Sequence, residues 1–220
     1  MIPPQTVDEL LSRAERLRGV TLGYIAQQYQ IDTRRPHKGW AGQLIEIALG
    51  ATAGSKPEPD FMNLGIELKT LPINFEGKPV ESTFICAAPR SMETSWRKSS
   101  VYHKLAKVLW VPVLTDKSIP LLERKIGHPI LWSPSVEQEA ILQEDWEELS
   151  EALLLGQANS LTAKQGQYLQ IRPKAANSRV LIQDVSEEGE LQWIVPRGFY
   201  LRSSFTREIV HKNRALSANS

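Results

Sequence analysis

Three residues in one short stretch have the side chains of a phosphodiester-cleaving site: Asp60, Glu67 and Lys69. Asp60 lies in a polar turn after Gly54-Ser55-Lys56-Pro57. The run from Leu64 to Ile73 then alternates, with Ile66 and Leu68 to one side and Glu67 and Lys69 to the other. That period of two predicts a half-buried strand, on which the Glu67 carboxylate and the Lys69 ammonium project together. With Asp60 where the strand begins, two oxygen ligands and a cation can meet at one point. Oxygen ligands suit Mg²⁺, which takes one or two carboxylates and leaves its other positions to water and phosphate oxygens. A neighbouring lysine can orient or deprotonate the attacking water, or stabilise charge building on phosphorus.

The bland alternative is a surface ion pair, and the chain offers grounds for it. Glu-x-Lys occurs three times, as Glu67/Lys69, Glu76/Lys78 and Glu123/Lys125, and Asp116 precedes Glu123 by the spacing that separates Asp60 from Glu67. Context separates the copies. Glu76-Gly77-Lys78-Pro79 reads as a hairpin turn, and Leu121 to Ile126 as a short exposed helix or loop after Pro120. Only the first copy lies on an alternating strand; spacing alone leaves both readings open.

The elements around these residues follow from the same patterns. Thr6-x-x-Glu9 is a capping box opening a helix with Val7, Leu10, Leu11, Ala14 and Leu17 on one face, closed by Gly19. Thr21 starts a second helix, carrying Leu22, Ile25, Ala26 and Tyr29. A third runs from Gly39 to Gly50 with one ionisable residue in its body, Glu46. That carboxylate is either costly to bury without a partner or metal, or is the polar stripe of a helix with an open face. Strands are expected at 64–73 and 80–88, joined by the Glu76-Gly77 turn, and at Val108–Val113, with Pro112 marking an edge or an end. Ser99 to Lys107 reads as a helix with Lys104 and Lys107 on one side. Ser133-Pro134 opens a long acidic helix with Leu142, Trp146, Leu149 and Leu153 inward. Strand-like segments at 168–171 and 191–195 precede a tail, 213–220, expected to be disordered. Gly50 to Lys56 lacks the order of a phosphate-binding loop and is set aside.

Composition bounds the class. The chain has 220 residues, 41% hydrophobic and 23% charged, with a net charge of +1, as expected for a soluble globular protein. One cysteine, Cys86, excludes an internal disulfide and a thiol-rich metal site. Neither a signal peptide nor a membrane-spanning run is present, so a cytoplasmic protein is expected. Charge is segregated: seven acids and no base between Glu137 and Glu151, then nine Lys/Arg against five acids from Ser160 onward. A basic face on a nearly neutral molecule suits docking on phosphates, although two ordinary solvated surfaces give the same pattern. Arg172-Pro173-Lys174 to Asn177 and Pro196-Arg197 to Tyr200 and Arg202 join basic groups to rigid or planar ones. Such groups can read base edges in the major groove, although solvated loops with a half-buried Tyr200 give the same pattern.

Assembled, these stretches resemble the MutH family of DNA mismatch-repair endonucleases, in the PD-(D/E)xK restriction-endonuclease-like superfamily. The resemblance is carried by Lys38-Gly-Trp-Ala-Gly-Gln-Leu-Ile-Glu46, Gly54-Ser-Lys-Pro-Glu-Pro-Asp60-Phe61, Leu64-Gly-Ile-Glu67-Leu-Lys69-Thr70 and His103-Lys104-Leu105. It continues through Val108-Leu-Trp-Val-Pro112, Glu144-Asp-Trp-Glu-Glu-Leu149, Tyr168-Leu-Gln-Ile-Arg172-Pro-Lys-Ala-Ala-Asn177 and Pro196-Arg-Gly-Phe-Tyr200-Leu201. The N-terminal arm, residues 179–192 and the tail depart from it.

The resemblance implies an α/β fold with a mixed sheet flanked by helices, in two lobes around a DNA-binding cleft. The N-terminal lobe, about 1–105, would carry catalysis, and the C-terminal lobe, about 106–212, DNA recognition. It implies a Mg²⁺-dependent endonuclease, with Mn²⁺ able to substitute, that nicks the unmethylated strand of hemimethylated GATC sites 5′ to the G. MutL would activate it after MutS has found a mismatch. Catalytic positions fall on Glu46, Asp60, Glu67, Lys69 and Lys104. Asp60, Glu67, the Leu68 main-chain carbonyl and Glu46 would hold metal. Lys38, Arg172, Pro173, Lys174, Arg197 and Tyr200 would contact DNA, with Tyr200 sensing the adenine methyl group. Cutting one strand implies a monomer, since a two-fold dimer presents two equivalent sites. The acidic helix 137–153 is a candidate surface for MutL. The alternatives are a GATC restriction endonuclease that cuts both strands and a DNA-binding adaptor without catalysis.

Overall fold

The computed structural model describes residues 2–34, 36–37, 39–54, 58–89, 95–157, 160–162, 164–174, 180–186 and 188–217, with backbone alone at 184–185 and 213–217. Lys38, and the stretch 175–179 that includes Asn177, lie outside the described residues.

The helix signals near the N-terminus are realised. In α1 (Val7–Arg16) the Thr6 hydroxyl accepts from the Glu9 N–H at 3.1 Å, and the Glu9 carboxylate accepts from the Gln5 N–H at 2.7 Å, one residue before the cap. Thr21 caps α2 (Leu22–Gln28) through the Tyr24 N–H at 3.2 Å, and α3 (Trp40–Leu49) runs between Gly39 and Gly50. Their apolar faces meet in one core: Leu10, Leu22, Ile25, Leu44, Ile45 and Leu49 pack with Ile66, Leu68, Leu109 and Val111. Those last four come from the sheet region, so the helices cover one of the sheet's faces.

That sheet has the order β1 (Glu67–Ile73), β3 (Val108–Leu114), β4 (Ile130–Trp132). It is mixed: β1 and β3 are parallel, β3 and β4 antiparallel. Pro112 stands in the middle strand rather than on an edge. Its missing N–H costs nothing there, because β4 pairs only with Val108 to Trp110, and the Pro112 carbonyl accepts from Gly127 at 2.8 Å.

The Glu76-Gly77 turn forms, with Val80 N–H returning to the Pro72 carbonyl at 3.0 Å, but it does not join two neighbouring strands. After it the chain leaves for a second sheet, of order β2 (Thr83–Ala87), β8 (Arg197–Leu201), β5 (Leu169–Pro173), antiparallel throughout. A turn motif specifies reversal, not the partner found beyond it. Helix α4 (Ser100–Leu105) ends before Lys107, whose carbonyl accepts the Glu67 N–H at 3.0 Å, so Lys104 and Lys107 do not share a helix face. Helix α5 (Val136–Leu154) starts two residues later than expected, with a full capping box between Ser135 and Gln138. A two-stranded ribbon, β6 (Ile182–Val185) and β7 (Leu191–Ile194), lies between β5 and β8 in the chain. Helix α6 (Ser203–Ser217) extends regular structure into the expected disordered tail.

The chain forms two compact units, each from separate segments: 1–81, 106–133 and 207–220 in one, 82–105 and 134–206 in the other. A division near residue 105 would cut β1 from β3 and β2 from β8, which is why the units interleave. No described helix is long and apolar enough to cross a membrane.

Candidate active site and nucleic-acid face

In the first unit, backbone geometry brings Asp60 to Glu67. Residues 61–66 close on themselves, with the Phe61 N–H donating to the Ile66 carbonyl at 2.9 Å around a 3₁₀ turn (Met62–Leu64) and Gly65. The strand therefore starts at Glu67, not at Leu64. Glu67 directs its N–H at β3, through the Lys107 carbonyl, and backbone groups alternate along a strand. Leu68 consequently turns its N–H and its carbonyl to the opposite edge. There the Leu68 N–H donates to Asp60 Oδ2 at 2.8 Å, in a buried bond. Asp60 is itself held by its own carbonyl, which accepts from the Thr52 N–H at 2.9 Å. The Asp60 carboxylate and the Leu68 carbonyl thus share one edge, and Glu67 is the adjacent residue.

Glu67 and Lys69 project together, and their environment is not that of an exposed surface pair. Lys69 Nζ lies 2.7 Å from Glu67 Oε1, with side-chain exposures of 16% and 3%. The Glu76/Lys78 pair, by contrast, is 65% and 50% exposed on its turn. Exposed pairs contribute little, whereas a buried carboxylate carries a desolvation cost that its partners must offset. The strand is also more buried than a half-buried pattern implies, because β3 beside it is apolar on both faces.

Glu46 lies on α3, one turn beyond Gly42, whose Cα side packs against Thr70 of β1. Glu46 is half-buried while Gln43 and Ile47 are exposed, so α3 has an open face. Among the described residues no three Asp, Glu, His or Cys side chains gather as a metal cluster. The Asp60 and Glu67 carboxylates and the Leu68 carbonyl are nevertheless oxygen donors of the kind Mg²⁺ takes, held at one strand start, and their chemistry fits that ion. Lys104 belongs to the second unit, in the last turn of α4.

The second unit holds a different constellation. Tyr200, at the centre of its sheet, pairs with Phe84 on one side and Gln170 on the other, while Gly198 pairs with Arg172. The Phe84 and Tyr200 rings meet edge-on at 5.2 Å, the Arg172 guanidinium lies 5.9 Å from the Tyr200 centroid, and Lys174 Nζ lies 4.1 Å from that of Phe84. Two cations over two aromatic faces form a surface suited to phosphates and base edges. Alternation places Arg197 with Phe199 and Leu201 on the opposite, core-facing side, and burial lowers the pKa of its guanidinium. Pro173, paired with Arg197, also falls on that side.

Phe84 is absent from the sequence-derived set because a phenylalanine in an alternating strand ordinarily reads as core. Gly198 makes room for it: a Cβ there would stand 2.9 Å from Phe84 Cε2 and 3.0 Å from the Cys86 carbonyl oxygen. Gly198→Ala is expected to lower stability by about 1–2 kcal/mol, measured by urea unfolding. An unchanged midpoint would show that the ring is not held against β8.

The match to known proteins is consistent over nearly the whole length. The family model for DNA mismatch repair enzyme MutH matches residues 49–145. The DNA mismatch repair protein MutH of Shewanella baltica OS185 is 52% identical over 218 residues, covering 96% of this chain and 97% of that protein. Those of Shewanella sp. ANA-3 and Shewanella oneidensis MR-1 are 50% and 51% identical over the same shares. The chain belongs to the MutH family. The segment matched by the MutH family model contains Asp60, Glu67, Lys69 and Lys104, while Glu46 and the Arg172–Tyr200 face lie in stretches covered by the full-length MutH relatives.

Proposed function

We propose that this chain nicks the unmethylated strand of hemimethylated GATC sites 5′ to the G, leaving a 5′-phosphate, in a Mg²⁺-dependent reaction activated by MutL downstream of MutS. As a MutH-family protein it is a mismatch-repair endonuclease, a nuclease that hydrolyses DNA. The observation that supports metal-assisted hydrolysis is the buried Glu67–Lys69 pair beside an Asp60 fixed to the same strand, and the Arg172–Tyr200 face supports the reading of a DNA site. Asp60, Glu67 and the Leu68 carbonyl, with Glu46, would hold Mg²⁺ (or Mn²⁺), which when bound supplies Lewis-acid stabilisation at phosphorus. Lys69 orients the attacking water and limits charge repulsion as the phosphate approaches Glu67. Lys104, with Lys38, stabilises the phosphate. Arg172, Lys174 and Tyr200, with Phe84, form the reading face; Arg197 and Pro173 support it from the other side of the sheet. The protein acts as a cytoplasmic monomer.

The decisive experiment is a nicking assay on GATC duplexes in three methylation states, with and without MutL, in Mg²⁺ and in EDTA. Hemimethylated duplex is expected to be nicked in its unmethylated strand, fully methylated duplex to persist, and EDTA to stop the reaction. Tyr200→Ala is expected to erode discrimination by about tenfold or more, the scale of one base-edge contact. A double-strand break regardless of methylation would instead identify a restriction endonuclease.

A further inference from the structure

The β6–β7 ribbon of the second unit has an anomalous outer face. Register places Gln183 opposite Trp193 and Ile182 opposite Ile194. Opposed residues share a face, so Gln183 lies beside Trp193 and Val185 beside Leu191, on the face opposite that of Ile182 and Ile194. Ile182 and Ile194 turn inward, and Ile194 is 4% exposed. Leu181, Leu191 and Trp193 turn outward and are 45%, 74% and 63% exposed. An antiparallel ribbon with one solvated face is ordinarily polar there, and this one is not. A two-stranded ribbon is also marginal by itself, and clustered exposed apolar side chains mark an interaction surface.

Charge identifies the occupant. Between Arg179 and Arg197 there is no basic residue, while Asp184, Glu187, Glu188 and Glu190 are all acidic. The exposed turn at Glu188 and Glu190 is fixed by Ser186, whose N–H donates to the Glu190 carbonyl at 2.7 Å, so carboxylates rim one end of the apolar patch. Such a rim repels a phosphate backbone and disfavours DNA as the occupant. It attracts a protein surface of apolar side chains ringed by Lys and Arg. The ribbon is spliced between β5 and β8, the strands that carry Arg172 and Tyr200. A protein seated on it would hold the two strands of the reading face by their connecting segment.

We propose that the outer face of the β6–β7 ribbon is the docking surface for the activating protein, with Leu191 and Trp193 as apolar anchors and Glu188 and Glu190 as the electrostatic guide. The proposal rests on the MutL-activated reading given above. It is tested on the full chain carrying Leu191→Ser and Trp193→Ser, beside a variant with Glu188→Lys and Glu190→Lys. Basal nicking without MutL, the unfolding midpoint, DNA binding and sedimentation are measured first, then nicking over a MutL titration.

The expected result is unchanged basal nicking and stability, with the MutL concentration for half-maximal stimulation raised by about tenfold or more in the apolar variant. The charge-reversed variant should show a smaller loss that salt diminishes. Unaltered stimulation in both variants overturns the proposal. So does a change in oligomeric state, which would make the face an interface between copies, or a loss of DNA binding. Neutralising Glu144, Glu147 and Glu148 on α5 is the control, and loss of stimulation there alone would move the surface to that helix. If the parent nicks GATC but ignores MutL, the activation reading itself fails, an outcome distinct from a responsive parent with equally responsive variants.

Discussion

Replacing Glu67 with Gln is expected to lower single-turnover nicking about 1000-fold while DNA binding and folding persist. The amide keeps the side chain's volume and an oxygen able to accept from Lys69, at the position where the carboxylate now accepts at 2.7 Å. What it removes is one unit of negative charge in a place 3% exposed to solvent, where water cannot substitute for it. The candidate Mg²⁺ set loses the carboxylate nearest Lys69, and the Lys69 ammonium is left beside a neutral group. Lys69→Ala should cost activity on a similar scale, and the double substitution little more than the worse single one, because residues that act as a unit are not additive. A Glu67→Gln protein that nicks at the parental rate would remove this pair from the chemistry.

Asp145→Ala should lower stability by about 2–4 kcal/mol, on the scale of truncating one of the buried apolar side chains of α5, such as Leu149. Asp145 is 5% exposed, and its two oxygens accept from three successive backbone N–H groups, Gln167 at 2.7 Å, Tyr168 at 2.6 Å and Leu169 at 2.7 Å. Alanine removes all three bonds and leaves the Leu169 N–H unpaired in the interior, while the partly exposed Gln167 and Tyr168 N–H groups can turn to water. The same turn is gripped from its other side by Arg202, which donates to the Gly166 carbonyl at 3.0 Å and to that of Gln165 at 2.7 Å. Gly166, at φ +77°, has no room for a side chain: a Cβ would lie 2.3 Å from the Leu169 carbonyl oxygen. Together these contacts fix where β5 begins, and hence where Arg172 and Lys174 stand. Asp145→Asn should fall between parent and alanine in urea unfolding, since one carboxamide oxygen can still accept.

Asp145 also shows where sequence reasoning reaches its limit. In a run of seven acids it reads as solvated surface, because helical periodicity is judged on apolar residues and a carboxylate facing inward gives no signal. The neighbouring Trp146 and Leu149 were legible, and both are buried. The same division holds at the candidate site. Alternation placed Glu67 and Lys69 together, and the caps at Thr6 and Thr21 set the helices that cover their strand. The Asp60–Leu68 bond was not legible, since it depends on six residues closing between Phe61 and Ile66. Phe84 was silent because its partner, Tyr200, lies more than a hundred residues away and no local pattern joins them. Pro112 misled for a related reason: a proline excludes pairing only where a neighbour's carbonyl is in reach, and that depends on the length of β4.

The pairing of β2 with β8 sets an order of assembly. During translation, β2 leaves the ribosome with its hydrogen-bonding partner still 110 residues downstream. At usual elongation speeds that is a wait on the order of ten seconds. Meanwhile β1 finds β3 after some forty residues, so the sheet bearing Glu67 can close early. The surface around Tyr200 is completed only when β8, in roughly the last tenth of the polypeptide, appears. A nascent chain can therefore hold the strand pair that bears Glu67 and Lys69 well before the Arg172–Tyr200 face exists, and that face is the last to be built.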